Sequence, residues 1–460
     1  MTGGKGGIFL LSYKLKNRLQ QMPPMRILLL GYCGIILLGT LLLALPISSR
    51  EGTTPLSDCF FTATSATCVT GLIRFDTYTH WTFFGQAVIL GMIQIGGIGF
   101  MTVIVTLISL TKKKIGLNTR FVMQNSFAAP QVGGIVRLTK LVMIGTAIIE
   151  GIGAVLLAFY FIPKLGFLRG LWFSVFHSVS AFCNAGFDLM GRLSPFSSLI
   201  AAGDNWYVNL IIMLLIIIGG LGFVVWVDLL SNRFRVKKLC LHSRVVLIFS
   251  GILIFVGTAG ILLFEANGTG LGDGSVMSRV LKAMFQSVST RTAGFNSVAL
   301  DQLTQPSQLL MICLMLIGGS PGSTAGGMKT TTFAVLIMSV QTVFRKKQNI
   351  EICKRRLNPN VLQSSACVFI TYLLLLVVSG MCISALEGLP MLTCLFETGS
   401  AIGTVGMSLG ITPTLSMLSK LLLTALMIFG RLGSITMILA FSMEDETGGA
   451  RYPLGKLQIG

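Results

Sequence analysis

Apolar runs long enough to cross a bilayer alternate along the chain with shorter apolar runs and glycine-rich loops. Residues 25–46 are apolar except for Arg26 near their start, which gives about 33 Å of helix at 1.5 Å per residue, enough to span a bilayer. Residues 55–64 are too short to span, so they predict a pore helix that enters the membrane partway. Residues 82–110 then predict a second span that returns. The pattern therefore predicts a unit of span, pore helix, loop and span.

The same unit recurs three more times along the chain. The further span pairs are 138–162 with 206–230, 245–264 with 309–343, and 361–386 with 418–443; the further pore helices are 171–181, 279–288 and 389–399. The predicted fold class is an all-α polytopic membrane protein with eight transmembrane helices in four span–pore-helix–span repeats, divided as residues 1–118, 119–241, 242–357 and 358–460. A non-helical loop at membrane depth is tolerated only where it lines a wet cavity or is buried in protein. We therefore expect the four pore loops to converge on one axis.

Composition and charge agree with a membrane setting. Hydrophobic residues make up 53% of the 460 residues and charged residues only 11%, against about 25% charged in soluble proteins. The net charge of +19 is concentrated in four segments, 1–26, 111–140, 231–244 and 345–356, which hold 5, 6, 5 and 6 of the 35 lysines and arginines. These segments alternate with pairs of spans, as expected for cytoplasmic loops beside anionic lipid. The partner is therefore the membrane and not nucleic acid, and both termini are expected to be cytoplasmic.

Each pore helix leads into a loop with the same spacing of Phe, Ser and Gly. The four copies are Phe61, Ser65 and Gly71; Phe176, Ser180 and Gly186; Phe285, Ser289 and Gly294; and Phe396, Ser400 and Gly406. A repeat of more than 100 residues is too long for a solenoid and suits a duplicated membrane unit. The third copy is one residue shorter than the others.

A cation that leaves water needs replacement oxygens, and backbone carbonyls supply them without a counter-charge. Consecutive carbonyls can point to the same side of the chain only if the backbone adopts unusual angles, which glycine tolerates best. The pore loops therefore predict a selectivity filter made of four tripeptides: Val69, Thr70 and Gly71; Asn184, Ala185 and Gly186; Thr292, Ala293 and Gly294; and Thr404, Val405 and Gly406.

The returning spans carry glycine pairs at equivalent places. In the first two units the pairs Gly96-Gly97 and Gly219-Gly220 are typical of close helix packing. In the third unit five glycines and a proline fall within residues 318–327, and such a stretch cannot remain helical at membrane depth. In the fourth unit Arg431 occupies the place of the second glycine. A phosphate-binding loop is disfavoured for 318–329, because an extra residue precedes Lys329 and no strand comes before it.

Three cationic side chains fall at membrane depth, namely Arg291, Lys329 and Arg431. At that depth one charge costs about 2.5–3.5 kcal/mol on insertion scales. We hypothesise that Arg431 lies under the filter as a barrier, held by carbonyls of the 318–327 loop. The alternative is a structural link from Arg431 to an acidic residue. Arg291 is expected to brace the third pore loop from behind, with Glu397 of the fourth pore helix as its candidate partner. Glu150, within the second unit's first span, is expected to pair with a neighbour and is a candidate for coupling.

Together, the four pore loops, the break in the third returning span and the arginine of the fourth resemble the Trk/Ktr/HKT superfamily of potassium transporters over nearly the whole chain. Eight spans most resemble the Ktr membrane subunit. The resemblance implies a pseudo-four-fold, potassium-channel-like pore in each protomer and a homodimer. It also implies a separate cytosolic nucleotide-binding regulatory ring, which this chain does not contain.

The resemblance further implies roles for individual residues. Glycine at all four filter positions is the pattern associated with K⁺ preference over Na⁺. K⁺ would be bound by the carbonyls of Thr70, Gly71, Asn184, Ala185, Ala293, Gly294, Val405 and Gly406. The gate would consist of Gly318, Gly319, Ser320, Pro321, Gly322, Ser323, Thr324, Ala325, Gly326, Gly327, Lys329 and Arg431.

The predicted function is the ion-translocating subunit of a potassium uptake system in the cell membrane, with no organic cofactor. The alternative is a secondary transporter that carries another solute through broken helices. An intramembrane enzyme is disfavoured, because His80, His177 and His242 are widely spaced and no acid motif matches them. Whether flux is channel-like or coupled to Na⁺ or H⁺ stays open. Acidic residues in the predicted outer loops, among them Asp58 and Asp204, would concentrate cations at the pore mouth or simply be solvated.

Overall fold

The computed structural model describes residues 24–99, 102–103, 124, 134–272, 274–347, 349–353 and 355–433, and this part of the chain is mainly α-helical. Four predictions lie wholly or partly outside the described residues. They are the N-terminal basic segment, the end of the first returning span with its following basic loop, the fourth returning span beyond residue 433, and the C-terminal tail.

The first unit follows the predicted order. Helix α1 (Pro24–Leu43) is the long apolar helix, and α2 (Leu56–Thr67) is the short pore helix. A single turn, α3 (Thr77–His80), precedes the returning helix α4 (Phe83–Ile98). Helix α4 ends at Gly99, whose φ of +88° is incompatible with a continued right-handed helix.

The second unit repeats this order and then bends. Helix α5 (Ile135–Leu165) is followed by the pore helix α6 (Phe167–Cys183). The returning helix α7 (Trp206–Leu221) stops at Gly222, where φ is +98°, and α8 (Phe223–Ser231) leaves at an angle of 94°. The prediction of one continuous span over 206–230 is therefore wrong, because glycine at this position lets the chain turn sharply.

The third unit contains the predicted break. Helix α9 (Leu241–Phe264) leads to the pore helix α10 (Val276–Ser289), and the returning segment is split into α11 (Gln305–Leu316) and α12 (Thr330–Phe344). A two-residue antiparallel hairpin follows, in which β1 (Glu351–Ile352) pairs with β2 (Arg355–Arg356).

The fourth unit comprises α13 (Pro359–Glu387), the pore helix α14 (Met391–Gly403) and the returning helix α15 (Met417–Leu432), which ends at Gly433 with φ +84°. Short 3₁₀ turns lie in the connections: Pro46–Ser48, Met190–Arg192, Ile200–Ala202, Val236–Lys238, Leu300–Gln302 and Thr412–Thr414.

Length and hydropathy assign the membrane crossing mainly to the first helix of each unit. Of the described helices, α1, α5, α9 and α13 are long and apolar enough to cross a membrane, and α7 with α8 would count as a fifth span if taken together. The returning helices are shorter because each stops or breaks at its glycine pattern. The predicted order of elements is thus present in each unit, whereas eight full-length spans are not established.

Burial is distributed as in a membrane protein. The pore-helix phenylalanines Phe61, Phe176, Phe285 and Phe396 are at most 1% exposed. Large apolar side chains on the long outer helices, such as Leu37, Phe159 and Phe255, are more than half exposed and would meet lipid. The pore helices therefore form the centre of the molecule, and the long helices surround them.

Two glutamates at the ends of long helices fix the start of the returning helices. Glu265, directly after α9, accepts hydrogen bonds from Thr304 and Ser307, which begin α11. Glu387, the last residue of α13, accepts the backbone N–H of Ser416, the residue before α15, at 2.9 Å. Each glutamate thus supplies an acceptor to the unpaired N–H and hydroxyl groups at a helix start.

Candidate functional site

The four pore loops share one backbone conformation. In every tripeptide the first residue and the glycine have positive φ: 57° and 95° at Val69 and Gly71, 59° and 70° at Asn184 and Gly186, 81° and 82° at Thr292 and Gly294, and 51° and 90° at Thr404 and Gly406. The middle residues Thr70, Ala185, Ala293 and Val405 do not have positive φ. Alternation between left- and right-handed backbone turns successive carbonyls toward the same side of the chain. The shorter third loop reaches this conformation despite its missing residue.

The four loops also touch one another in a ring. An ideal Cβ placed on Gly186 would lie 2.9 Å from both the carbonyl oxygen of Ala293 and the Cα of Gly294. In the same way, a Cβ on Gly71 would run into the carbonyl of Ala185, one on Gly294 into that of Val405, and one on Gly406 into that of Thr70. The loops therefore follow each other in chain order around one point, and the fourth closes onto the first. Only glycine fits at these four positions.

The repeated serine explains the spacing of the motif. Ser65 and Ser400 accept hydrogen bonds from the N–H groups of Gly71 and Gly406, at 3.0 and 2.9 Å. Their counterparts in the other units donate to the residue after the glycine: Ser180 to the Phe187 carbonyl and Ser289 to the Phe295 carbonyl, both at 2.6 Å. In all four units the serine therefore ties the pore helix to the end of its own loop.

The break in the third returning helix forms a loop that contacts the other units. Residues 317–329 connect α11 to α12, and their N–H groups donate to carbonyls of neighbouring helices: Ser320 to Gly220 at 3.0 Å, Thr324 to Gly219 at 3.3 Å, and Gly327 to Gly430 at 3.1 Å. The side chain of Lys329 folds back and donates to the Ala325 carbonyl at 2.9 Å. The loop is thus held by hydrogen bonds to the second and fourth units.

The glycine pairs of the returning helices perform two tasks here. Their Cα atoms pack directly against the ends of the pore helices, with Gly96 on the Thr67 carbonyl and Gly219 on the Phe182 carbonyl. Their own carbonyls belong to the last helical turn, which has no partners within the helix. Donors from the 317–329 loop and from Arg431 satisfy these carbonyls. The packing interpretation of the glycine pairs was therefore correct but incomplete.

Arg431 joins three units beneath the filter. Its guanidinium donates to the carbonyl of Thr324 in the loop and to the carbonyls of Gly96 and Gly97 in the first unit, the latter at 3.0 Å. Within the described residues, no acidic side chain forms an ion pair with Arg431. These contacts match the hypothesis that loop carbonyls hold Arg431 and disfavour the acidic link.

The expected partnership between Arg291 and Glu397 is absent. Arg291 donates instead to the backbone carbonyl and the hydroxyl of Ser250 in α9, at 3.3 and 3.1 Å. Glu397 accepts hydrogen bonds from the hydroxyls of Ser408 and Thr412 just outside the filter. The prediction was wrong because the partner of Arg291 is partly a backbone group, which no side-chain pattern reveals.

The outer face contains a buried cluster that sequence reasoning missed. Asp58, only 3% exposed, pairs with Lys420 at 2.7 Å and with Arg74 at 3.1 Å. Arg74 also donates to the Pro413 carbonyl at 2.8 Å. Asp58 is therefore no free charge at the mouth; it fastens the first unit to the fourth.

A second outer acid is exposed and paired. Asp204 lies 2.9 Å from Lys282, and hydrogen bonds from Ser278 and Lys282 hold the pKa of Asp204 below its usual range. The pairs of Asp58 with Lys420 and of Asp204 with Lys282 follow no local sequence spacing, since each joins residues of different units.

Comparisons with known proteins agree with this geometry. The family model described as TrkH, cation transport protein, matches residues 35–448. Potassium/sodium uptake protein NtpJ of Enterococcus hirae is 38% identical over 454 residues, which cover 97% of this chain and 99% of that protein. Ktr system potassium uptake protein B of Bacillus subtilis is 38% identical over 443 residues, covering 96% of this chain and 97% of that protein.

A solved structure has the same fold. The crystal structure of the potassium transporter TrkH from Vibrio parahaemolyticus superposes with a TM-score of 0.71 at 18% identity, covering 91% of this chain and 84% of that one. At this identity the likeness concerns the fold alone.

Proposed function

Because the chain belongs to the TrkH family of cation transport proteins, we propose that it is the ion-translocating subunit of a potassium uptake system. The chain is a multi-pass membrane cation transporter and not an enzyme. We propose potassium as the transported ion because relatives over nearly the whole chain are named for potassium uptake.

The ring of four glycine loops is the observation that carries the proposal. Each loop presents carbonyls from a tripeptide with the same backbone angles, and each glycine lies against the next loop's middle carbonyl. Such a ring replaces the hydration shell of a bare monovalent cation without trapping a counter-ion. K⁺ would be bound by the carbonyls of Thr70, Gly71, Asn184, Ala185, Ala293, Gly294, Val405 and Gly406.

Beneath the ring, we assign the gate to residues 318–327 with Lys329 and Arg431. The loop is held to other units by hydrogen bonds and not by a continuous helix, so it can be released without breaking a helix. The guanidinium of Arg431 lies among carbonyls that could otherwise face a passing cation. Its positive charge would oppose K⁺ until the loop and the arginine move together.

The assembly around this subunit is also a proposal. We place the basic loops on the cytoplasmic side and expect a homodimer served by a separate cytosolic regulatory subunit. The name of the Enterococcus relative includes sodium, so Na⁺ belongs among the ions tested.

The first test is Rb⁺ uptake into proteoliposomes that hold this chain, with K⁺ or Na⁺ as competitor. For the wild type we expect K⁺ to block uptake and Na⁺ to have little effect. Gly294→Ser should abolish this discrimination, because Gly294 has φ +82° and its side-chain position is filled by the Val405 carbonyl.

The matched control is Gly410→Ser. Gly410 has φ +91° but nothing within 4 Å of its side-chain position, so this variant carries the backbone strain without the overlap. Discrimination should survive in Gly410→Ser. No Rb⁺ flux in the wild type, even with a cytosolic regulatory partner added, would instead favour a secondary transporter for another solute.

A further inference from the structure

A buried carboxylate lies next to the filter in the second unit. Glu150 is at the middle of α5 and is 8% exposed. The side-chain amide of Gln94 in α4 donates to Glu150 Oε2 at 2.9 Å, and Cys183 Sγ at the end of α6 lies 3.7 Å from Glu150 Oε1. Ser178 donates to the Glu150 backbone carbonyl at 2.7 Å. Glu150 is therefore fixed in place by two neighbouring helices.

Among the described residues, no cationic side chain forms an ion pair with this carboxylate. Helices α4 and α7, which flank it, contain no charged residue. Helix α6 carries Arg169 near its start and His177 at its middle. Both ring nitrogens of His177 are occupied by backbone, with Nδ1 2.7 Å from the Phe173 carbonyl and Nε2 3.4 Å from the Leu189 N–H. Neither residue forms an ion pair with Glu150.

A carboxylate without a cationic partner at membrane depth is stabilised most simply by taking up a proton. We propose that Glu150, held by Gln94 and Cys183, is a proton-binding site beside the filter, and that release of its proton promotes K⁺ passage. This inference rests on the proposed function, because it concerns the same filter and gate.

Contacts lead from Glu150 in two directions. Cys183 directly precedes the filter residue Asn184, so a negative charge on Glu150 lies behind the second filter loop. Cys183 also packs on Gly97, where an ideal Cβ would lie 2.6 Å from Sγ. The Gly97 carbonyl in turn accepts a hydrogen bond from Arg431 at 3.0 Å. Glu150 is thus joined to both the filter and the arginine beneath it.

Ionisation of Glu150 should promote K⁺ passage through both sets of contacts. A negative charge behind the filter stabilises a cation inside it. It also draws the guanidinium of Arg431 toward the first unit and away from Thr324 of the gate loop. Because coupling between binding sites is reciprocal, K⁺ in the filter should weaken proton binding at Glu150 by the same factor.

The test is the pH profile of K⁺-competed Rb⁺ uptake from about pH 5 to about pH 9, a range that begins just above the ordinary pKa of a glutamate carboxyl. Wild-type uptake should rise by about fivefold or more, the lower end of typical coupling between sites. Glu150→Gln, which keeps the shape and lacks the titratable group, should stay at the low level throughout. Glu150→Asp, which keeps the carboxyl group, should again show a rise of uptake with pH.

A second readout separates titration from a structural role. K⁺ binding to the wild type should release protons, seen as a binding enthalpy that depends on the ionisation enthalpy of the buffer, and Glu150→Gln should lose this dependence. An unchanged pH step and unchanged proton release in Glu150→Gln would overturn the inference and leave the proposed function intact. Absence of K⁺-competed uptake in the wild type at every pH would overturn both.

Discussion

The ring of pore loops, which we propose as the filter, differs in its construction from the layer that contains Arg431. In the ring, four loops with the same alternation of φ sign contact each other in chain order. In the other layer, the third unit contributes a loop and the fourth contributes Arg431. The first unit contributes carbonyl acceptors, and the second contributes carbonyl acceptors together with the N–H of Phe223. One layer is repeated and the other is specialised.

The roles that we propose for the two layers account for this difference. A spherical ion in the ring would be surrounded best by equivalent oxygens, so each departure from equivalence would weaken its coordination. Closing a path requires one obstructing element only, and the remaining units need merely hold that element. The glycine pairs suit this purpose because helix ends already present unpaired carbonyls.

The fourth unit must also be joined to the first by noncovalent contacts, because the chain does not connect these two units directly. On the outer side Lys420 pairs with Asp58, and beneath the filter Arg431 reaches Gly96 and Gly97. Mutations that remove these two contacts should have different effects, one on stability and the other on transport.

The largest effect is expected for Lys420→Met, and it should appear in stability. Lys420 and Asp58 are 8% and 3% exposed, and loss of one partner from a buried ion pair typically costs about 3–5 kcal/mol. Because Arg74 still pairs with Asp58, we expect about 3 kcal/mol, measured as a lower midpoint of thermal unfolding of the purified protein.

The control is Lys347→Met, which cuts the exposed pair between Lys347 and Glu351. Exposed pairs contribute little to stability, because water screens them, so the midpoint should hardly move. Equal shifts in the two variants would show that the outer cluster does not hold the fourth unit to the first.

The second prediction concerns transport. Arg431→Ala removes one positive charge and the hydrogen bonds to Thr324, Gly96 and Gly97. An interaction of about 1.4 kcal/mol between unit charges at moderate distance corresponds to about tenfold in rate, so Rb⁺ uptake should rise by about that factor. Unfolding should be affected less than in Lys420→Met.

Arg431→Lys separates charge from geometry. It keeps the positive charge but cannot reach all three carbonyls with one planar group, so uptake should lie between those of the wild type and Arg431→Ala. If Arg431→Ala left uptake and its regulation unchanged, the arginine would not be a barrier.

Sequence reasoning predicted the repeated layer better than the specialised one. The filter tripeptides could be located because glycine is required where φ is positive and the neighbouring loop leaves no space, as at Gly406. The break in the third returning helix was visible because proline and glycine cannot continue a helix. These are local constraints, and each requires a particular residue type at the position concerned.

Contacts between units require no such residue type at a fixed position, so they could not be predicted in this way. The bend at Gly222 was missed because the same glycine pattern also suits straight, closely packed helices. The pairing of Asp58 with Lys420 spans 362 positions of sequence, and Arg291 meets a backbone carbonyl of Ser250. Such partners depend on how the units are arranged around the axis, which one sequence does not specify.

The smallest expected effect lies at the contact between the two layers. Gly326 of the loop rests on Thr404 of the filter, and an ideal Cβ on Gly326 would run into Thr404 Oγ1. Gly326→Ala should therefore push the loop away from the filter and raise Rb⁺ uptake by about threefold, near the lower end of coupling between contacting residues. Preference for K⁺ over Na⁺ should not change, because the filter backbone is held by its own serines. Combining Gly326→Ala with Thr404→Ala removes the closest overlap, which is with Thr404 Oγ1, so uptake should fall toward the level of Thr404→Ala alone. If Gly326→Ala changed selectivity as much as rate, the filter and the loop would form a single mechanical unit, and the contrast between a repeated filter and a specialised gate would not hold.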